Sequence, residues 1–326
     1  PLRRQRQMCI RDRYYYQYFI AGMRILCRVP FPVVIQKEAE QFLFPVNENC
    51  EISGEQEDTA FAAGRSADAV VTFRRAVSLP DIPDSATVRA DRYYSVSEEN
   101  DSRKRKYQVH YCPCPGETPY ACAVWDEDAC GRLNIICRFL PGNEFRFGHS
   151  RMISDHIGME IFFLRKDCLM LHAAFIRWRG KGILFTAPSG TGKSTQAELW
   201  EKYEGADILN GDRAAVRRDE SGCWQAYGLP YAGSSGIYRN EKAPVSMIVV
   251  LRQSKENRIR SLGMLEIVQF LYPETTVHHW EPDFVEKALT LLTELAGAVP
   301  FYLLECRPDA EAVEVLKNVL IGGGDI

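Results

Sequence analysis

Ala187-Pro-Ser-Gly-Thr-Gly-Lys193-Ser194 decides the fold of the second half of this chain. It fits a pattern of Gly or Ala, four residues, Gly-Lys, then Ser or Thr, which marks a loop that wraps a nucleotide phosphate. With ordinary residue usage, a match over a chain of this length arises by chance about 2–3% of the time. The context agrees, because the apolar Ile183-Leu-Phe-Thr186 reads as a strand before the loop. Ser194–Tyr203 reads as a helix after it, with Ala197, Leu199 and Trp200 as its apolar positions.

The residue types follow from the chemistry. A triphosphate needs many donors in a small space. Successive backbone N–H groups and a helix N-terminus supply them. Gly190 and Gly192 permit backbone angles and a close approach that side chains would block. Lys193 is placed to reach the β- and γ-phosphates, and the Ser194 hydroxyl to face Mg²⁺. Pro188, Ser189, Gly190, Thr191, Gly192, Lys193, Ser194 and Thr195 are therefore the expected nucleotide-binding residues, with ATP and Mg²⁺ as cofactors. Ala187 stands in place of the first Gly, which an L-residue can do where the angles suit it.

Outward from the loop, Leu169–Phe175 is a largely apolar run containing His172, and Arg177-Trp-Arg-Gly-Lys-Gly182 reads as a turn. Downstream, Asp207-Ile-Leu-Asn210 and Ala214-Ala-Val216 flank Gly211-Asp212. Trp224–Gly228 and Ser246–Leu251 are further strands. Asp283 and Asp309 are expected to N-cap helices reaching Leu295 and Leu320. From Tyr14 to about Lys166 the pattern is mostly β. Ala69–Phe73, Lys106–Tyr111, Tyr120–Trp125 and Leu133–Phe139 read as strands, separated by the polar stretches Asn47–Ser66, Leu79–Ser85 and Ser97–Lys104. The expected organisation is a β-rich domain over 14–165 and a loop-bearing α/β domain with a mixed sheet over 166–326.

Composition narrows the function. The 326 residues are 46% hydrophobic and 25% charged, ordinary for a globular protein. A net charge of -3 gives no reason to expect nucleic acid as a partner. No apolar run is long enough for a membrane helix, so no membrane association is expected. Residues 1–13 are strongly basic, and Arg6–Arg13 resembles translated sequencing-adapter sequence, so this segment reads as non-native. A basic targeting segment is the rival, but Tyr14–Gly22 is too polar and aromatic for a signal core. Most of the 11 cysteines are scattered, as expected of reduced thiols in a cytoplasmic protein. Cys112-Pro-Cys114 is the one close pair, with a zinc or redox role as its alternative.

Across Leu171–Leu251 the sequence resembles the catalytic domain of HPr kinase/phosphorylase and its relatives, which share a fold with ATP-dependent phosphoenolpyruvate carboxykinase. The matching residues, in order, are Leu171-His172, Ala187–Thr195, Asn210-Gly-Asp212-Arg213 and Tyr227–Ser235. The last resembles a segment of uncharacterised kinase-like members. The resemblance implies phosphoryl transfer, with Ser194 and Asp212 on Mg²⁺ and Asp212 or His172 taking the acceptor proton, so that Lys193, Asp212 and His172 form the catalytic set. Two departures accompany it. Gly211 stands where the family carries the first Asp of an Asp-Asp pair, and the signature for HPr as substrate is not evident. The resemblance is better to members that accompany peptide-modification genes.

Structural readings compete at several positions. Asp212 could be a turn residue, His172 a core histidine, Arg213 a phosphate clamp or a surface ion-pair partner, and Ser234 and Ser235 turn residues or acceptor ligands. His278-His279-Trp280 lacks a third metal ligand in spacing. The expected partners are a nucleoside triphosphate and a hydroxyl acceptor that is a peptide, protein or small molecule, with a homo-oligomer left open. The alternatives to a kinase are a nucleotide-binding or hydrolysing regulatory module, which Gly211 favours, and a decarboxylating relative of the carboxykinase.

Overall fold

The computed structural model describes residues 14–45, 67–79, 87–89, 94–98, 106–110, 119–127, 131–279 and 282–322. The basic segment 1–13, the Cys112-Pro-Cys114 pair and Trp280 lie outside these residues. The chain divides into two compact units, Pro1–Met159 and Glu160–Ile326, and both mix helices with sheet, giving an α/β fold.

In the first unit one sheet holds β1 (Tyr14–Ile20), β2 (Met23–Val29), β3 (Leu43–Pro45), β4 (Ala69–Arg75), β5 (Thr87–Arg89), β6 (Tyr94–Glu98), β7 (Lys106–His110), β8 (Ala121–Glu127) and β9 (Leu133–Phe139). Its order is β3-β1-β2-β4-β9-β8-β7-β6-β5. The β2–β4 and β4–β9 pairs are parallel and the others antiparallel. β9 alternates buried and half-buried residues along its length, the period expected of a strand with one covered face. Phe147 packs against Phe73, Tyr120, Phe139 and His156, with ring centroids 4.3–6.2 Å apart. The Tyr120 hydroxyl and His156 Nε2 lie 2.5 Å apart within this aromatic group.

The β expectation fails at the end of this stretch. Ser150–His156 is α1 and Met159–Arg165 is α2. Met159-Glu-Ile-Phe-Phe-Leu-Arg165 is a short apolar run. Periodicity alone does not separate a buried helix from a strand over such a length.

The second unit is built on two long strands. β10 (Cys168–Trp178) pairs through its first half, Cys168–His172, with β13 (Arg213–Arg218). Its second half pairs with β11 (Lys181–Thr186) and β12 (Asp207–Asn210). β15 (Lys242–Gln253) divides in the same way. Its start is antiparallel to β14 (Trp224–Gly228), while its later residues run parallel to β11 and to β17 (Phe301–Cys306). β13 pairs with β14, and β16 (Arg258–Ser261) with β17. Nine of the 11 residues of β10 are buried, and so is the run Met247–Leu251 of β15. Both strands are thus covered on two faces, which explains their near-continuous apolar sequence.

The helix after the loop is α3 (Lys193–Glu204). It buries Lys193, Gln196, Ala197 and Trp200, the i, i+3, i+4, i+7 spacing of one helical face. Trp200 is fully buried and meets Trp178 edge-on at 5.4 Å. Three more helices follow: α4 (Met264–Leu271), α5 (Pro282–Ala296) and α6 (Ala310–Gly322). Asp309 caps α6 as expected, its Oδ1 accepting from the Ala312 N–H at 3.2 Å. Asp283 does not take that role. Pro282 already occupies the first helical position, where its missing N–H is no loss, and Asp283 lies in the first turn. The expected Arg177–Gly182 turn shrinks to Arg179 and Gly180, both at positive φ, as a two-residue hairpin requires. The last third of the sequence reads as helical; α4 falls within that reading, and β16 and β17 depart from it.

No described helix is long and apolar enough to cross a membrane. The described cysteines are free thiols. Burial pushes the thiols of Cys27 and Cys168 up to about 12 and that of Cys122 to about 11.

Two outcomes follow. Trp200→Ala is expected to lower stability by roughly 3–5 kcal/mol, read by urea denaturation. A maleimide at neutral pH is expected to label the exposed Cys223 rapidly and to leave Cys27, Cys122, Cys137 and Cys168 unmodified until the protein is unfolded. Raising the pH to about 9 should leave the buried four unmodified as well, because their thiolates form only well above that pH.

Candidate functional site

The site forms where β10 changes partners. His172 is opposite Arg213, the first residue of β13, and the next residue, Ala173, is opposite Thr186, the last residue of β11. The chain therefore leaves β11 into the glycine loop directly beside His172. β12 ends at Asn210, opposite Phe175, and β13 begins at Arg213. Gly211-Asp212 is the two-residue gap between them. The hydroxyl of Thr186 donates to the His172 carbonyl at 3.1 Å, tying the start of the loop to this point.

The loop has the geometry that its glycines imply. Gly190 and Gly192 have φ of 81° and 114°, angles that L side chains rarely adopt. Gly192 is the N-cap of α3 and Lys193 its first residue. Pro188, Ser189 and Gly190 are exposed, Thr191, Gly192 and Ser194 half-buried, and Thr195 exposed on the outer side of the helix. Lys193 is buried, and its Nζ donates to the carbonyls of Ala187 at 2.7 Å and Pro188 at 3.3 Å. Burial lowers the pKa of this ammonium from the usual lysine range, while the carboxylates of Glu274 and Asp212 act to raise it. Lys193 thus lies in the field of two acids. The side-chain amide of Gln253 reaches the carbonyls of Gly190 and Thr191, each at 3.4 Å.

Asn210 sets Asp212. It is fully buried, its Oδ1 accepts the backbone N–H groups of Asp212 and Arg213 at 2.8 and 2.9 Å, and its Nδ2 donates to the Leu229 carbonyl at 2.7 Å. An Asn side chain that captures backbone donors in this way fixes a tight turn. Ser194 Oγ donates to the Gly211 carbonyl at 3.4 Å, so the loop helix touches the same turn. Asp212 Oδ1 lies 3.7 Å from His172 Nε2 and Oδ2 lies 3.6 Å from Arg213 Nε. Both distances exceed hydrogen-bond range, so the lone pairs of Asp212 stay available. The Ser194 hydroxyl, against the Gly211 carbonyl, and the carboxylate of the next residue in that turn are hard-oxygen donors. They suit Mg²⁺, which takes one or two carboxylates together with substrate phosphates.

Gly211 has a steric cause. A Cβ there would lie 1.9 Å from Ser235 Oγ and 2.6 Å from Ser235 Cβ. The Ser235 hydroxyl is itself held, donating to the Ala232 carbonyl at 2.8 Å and accepting from the Ile237 N–H at 3.2 Å. The turn Gly233–Ser235 therefore fills the space that an aspartate at 211 would need. Ser235 is a turn residue in this arrangement, and Ser234 is exposed. Gly233 packs so closely on Asp212 that a Cβ there would come within 2.7 Å of the Asp212 Cβ.

One acidic residue was invisible in the sequence. Glu274 Oε2 lies 2.7 Å from His172 Nδ1, and the Glu274 side chain is only 10% exposed. It sits in the short turn Tyr272–Glu274, which is pinned to β10 by a Leu171–Thr275 bridge and by the Thr276 N–H donating to the Met170 carbonyl at 2.9 Å. Arg213 braces the same segment, donating to Thr276 Oγ1 at 2.6 Å. Glu274 stands 102 residues from His172 in the chain, and no local pattern marks it. Asn210 did carry a signal, as an Asn two residues before an Asp at a strand end.

His278 and His279 are committed elsewhere. His278 Nε2 is 3.1 Å from Glu160 Oε1, and His279 Nδ1 is 3.0 Å from the Tyr272 hydroxyl. Among the described residues no group of three or more His, Cys, Asp or Glu side chains is arranged to hold a metal.

Fold and site together define a mixed α/β protein with a glycine-rich loop at a helix N-terminus and an acid–imidazole–acid cluster beside it. Residues 135–320 match the family described as SynChlorMet cassette protein ScmC. This is more than half of the chain, and the chain belongs to that family. Among solved structures, the Hpr(Ser) kinase/phosphatase from Coxiella burnetii aligns with 13% identity and a TM-score of 0.29, over 47% of this chain and 97% of that one. No curated protein matches.

Gly211→Ala is expected to destabilise the protein by about 1–3 kcal/mol through overpacking against Ser235. Adding Ser235→Gly in the same chain should recover part of that loss, as read from the two urea midpoints.

Proposed function

We propose that this protein is an ATP-dependent kinase that transfers the γ-phosphoryl group to a hydroxyl of a peptide, protein or small molecule. The observation that carries this reading is the convergence at one point of the sheet. The Ala187–Ser194 loop, the Asp212 carboxylate and the His172 imidazole meet there, with Ser194 Oγ 3.4 Å from the Gly211 carbonyl and His172 Nε2 3.7 Å from Asp212. Phosphoryl transfer asks for positioning and charge stabilisation more than for covalent help, and these residues supply both.

In this reading the N–H groups of residues 188–195 and the Lys193 ammonium hold the triphosphate at the N-terminus of α3. Ser194 and Asp212 hold Mg²⁺, which supplies charge neutralisation at the phosphates when bound. Lys193 releases one of its two carbonyl contacts to reach the β- and γ-phosphates. His172 or Asp212 accepts the proton of the attacking hydroxyl. The loop-bearing α/β domain expected over 166–326 carries the chemistry, in a cytoplasmic protein. Membership in a family named for a cassette supports an acceptor made or used by companion proteins.

A second reading is a nucleotide-binding or hydrolysing regulatory module without a phosphoacceptor. Gly211, which removes one acid from the loop's neighbourhood, favours it. Incubation with γ-labelled ATP, Mg²⁺ and a panel of hydroxyl acceptors separates the two. The kinase yields label on an acceptor and acceptor-stimulated ADP release; nucleotide binding without either outcome supports the regulatory module.

Lys193→Ala is expected to lose nucleotide binding, because phosphate charge is left unmet. Asp212→Asn is expected to keep nucleotide affinity and to lose turnover by roughly 10²–10⁴-fold. Wild-type turnover in Asp212→Asn, measured by ADP release, would remove Asp212 from the mechanism.

A further inference from the structure

Chemistry divided between a metal ligand and a proton acceptor calls for two suitably placed groups. The sequence offers one acid at Gly211-Asp212, and Ser235 fills the space of a second. A second carboxylate nevertheless reaches the site from a different element. Glu274 lies against the ring nitrogen of His172 that faces away from Asp212, at 2.7 Å, and is nearly buried.

An ionised carboxylate can only accept a hydrogen bond. Against an ionised Glu274, the His172 ring donates from Nδ1. A neutral ring that donates from Nδ1 carries its lone pair on Nε2. That atom lies on the Asp212 side, 3.7 Å from the carboxylate and outside hydrogen-bond range of it. Both members of the pair are rigidly placed. His172 sits in a strand paired on both sides, and Glu274 in a turn held by the Leu171–Thr275 bridge, the Thr276 N–H to Met170 contact and the Thr275 hydroxyl donating to the Leu271 carbonyl at 2.8 Å.

We propose that Glu274 is a positioning residue that fixes the ring and tautomer of His172, so that His172 Nε2 takes the acceptor proton and Asp212 is left to the metal. The inference rests on the kinase reading above and names the group that reading leaves open. In the step, the acceptor O–H bond breaks as its oxygen bonds to the γ-phosphorus, and the proton goes to Nε2. The bond from the γ-phosphorus to the β–γ bridging oxygen breaks, and its electron pair leaves on ADP. Glu274 exchanges no proton and stabilises the imidazolium that forms, as a carboxylate behind a histidine does elsewhere.

The test uses the full chain and two readouts. Nitrogen NMR of ¹⁵N-histidine-labelled protein at alkaline pH, with His172→Gln to assign the ring, reads the tautomer without any turnover. The wild type is expected to show Nδ1 protonated and Nε2 bare, and Glu274→Leu to show a mixture. Glu274→Gln keeps an acceptor and is expected to keep the tautomer. In the second readout, ADP release from ATP and Mg²⁺, kcat in Glu274→Leu should fall about 10–100-fold with KM and ATP affinity unchanged, and Glu274→Gln should recover part of the loss.

An Nε2–H tautomer in the wild type overturns the proposal, as does a Glu274→Leu loss that lies wholly in KM and ATP affinity. Should Glu274→Leu fail to fold, the wild-type tautomer and the Glu274→Gln kinetics still decide. A wild type that binds ATP and never turns it over sinks the kinase reading alone, since the tautomer measurement stands without it.

Discussion

The change of partners along β10 is the constraint on which the site depends. Up to His172 the strand pairs with β13, and from Ala173 onward it pairs with β11 and β12. An antiparallel strand uses its backbone donors and acceptors on both edges. Where its neighbours end or begin, their chains must leave the sheet. Three of them do so within a few residues: the loop after Thr186, the turn at Gly211-Asp212 and the start of β13. The functional groups collect there because strand ends are where a sheet can offer side chains and loop backbone to a ligand.

Sterics then decide how the acids are distributed. The Gly233–Ser235 turn lies so close to Gly211 and Asp212 that it permits one carboxylate and excludes a neighbour. The second carboxylate arrives instead on Tyr272–Glu274 and acts on the imidazole from behind. Lys193 responds to both acids, since each raises its pKa against the cost of its burial. The cluster also pairs Asp212 with Arg213 at 3.6 Å.

Buried ion pairs of this type contribute little to net stability, because desolvation offsets most of the attraction. What they supply is orientation. The stability of the second unit comes from apolar contacts such as Trp178 against Trp200, and from strands covered on both faces. Stability and site are thus held by different residues of the same strands. In β10 the buried positions hold the sheet, and His172, half-buried between two buried runs, faces the site.

The sequence by itself determined what is local. The loop Ala187–Ser194, the strand and helix around it, the strands on either side of Gly211-Asp212 and the cap at Asp309 each follow from residues within a few positions of one another. Backbone angles, capping and amphipathic spacing act at that range. The sequence also showed that position 211 carries no acid, without showing why. Only the tertiary structure decided the rest. The helices at 150–165 escaped because a short apolar run has no distinguishing period. Ser235 against Gly211 and Glu274 against His172 are contacts across 24 and 102 residues of chain. They are fixed by which strands pair and where β10 changes neighbours, and no local propensity encodes that.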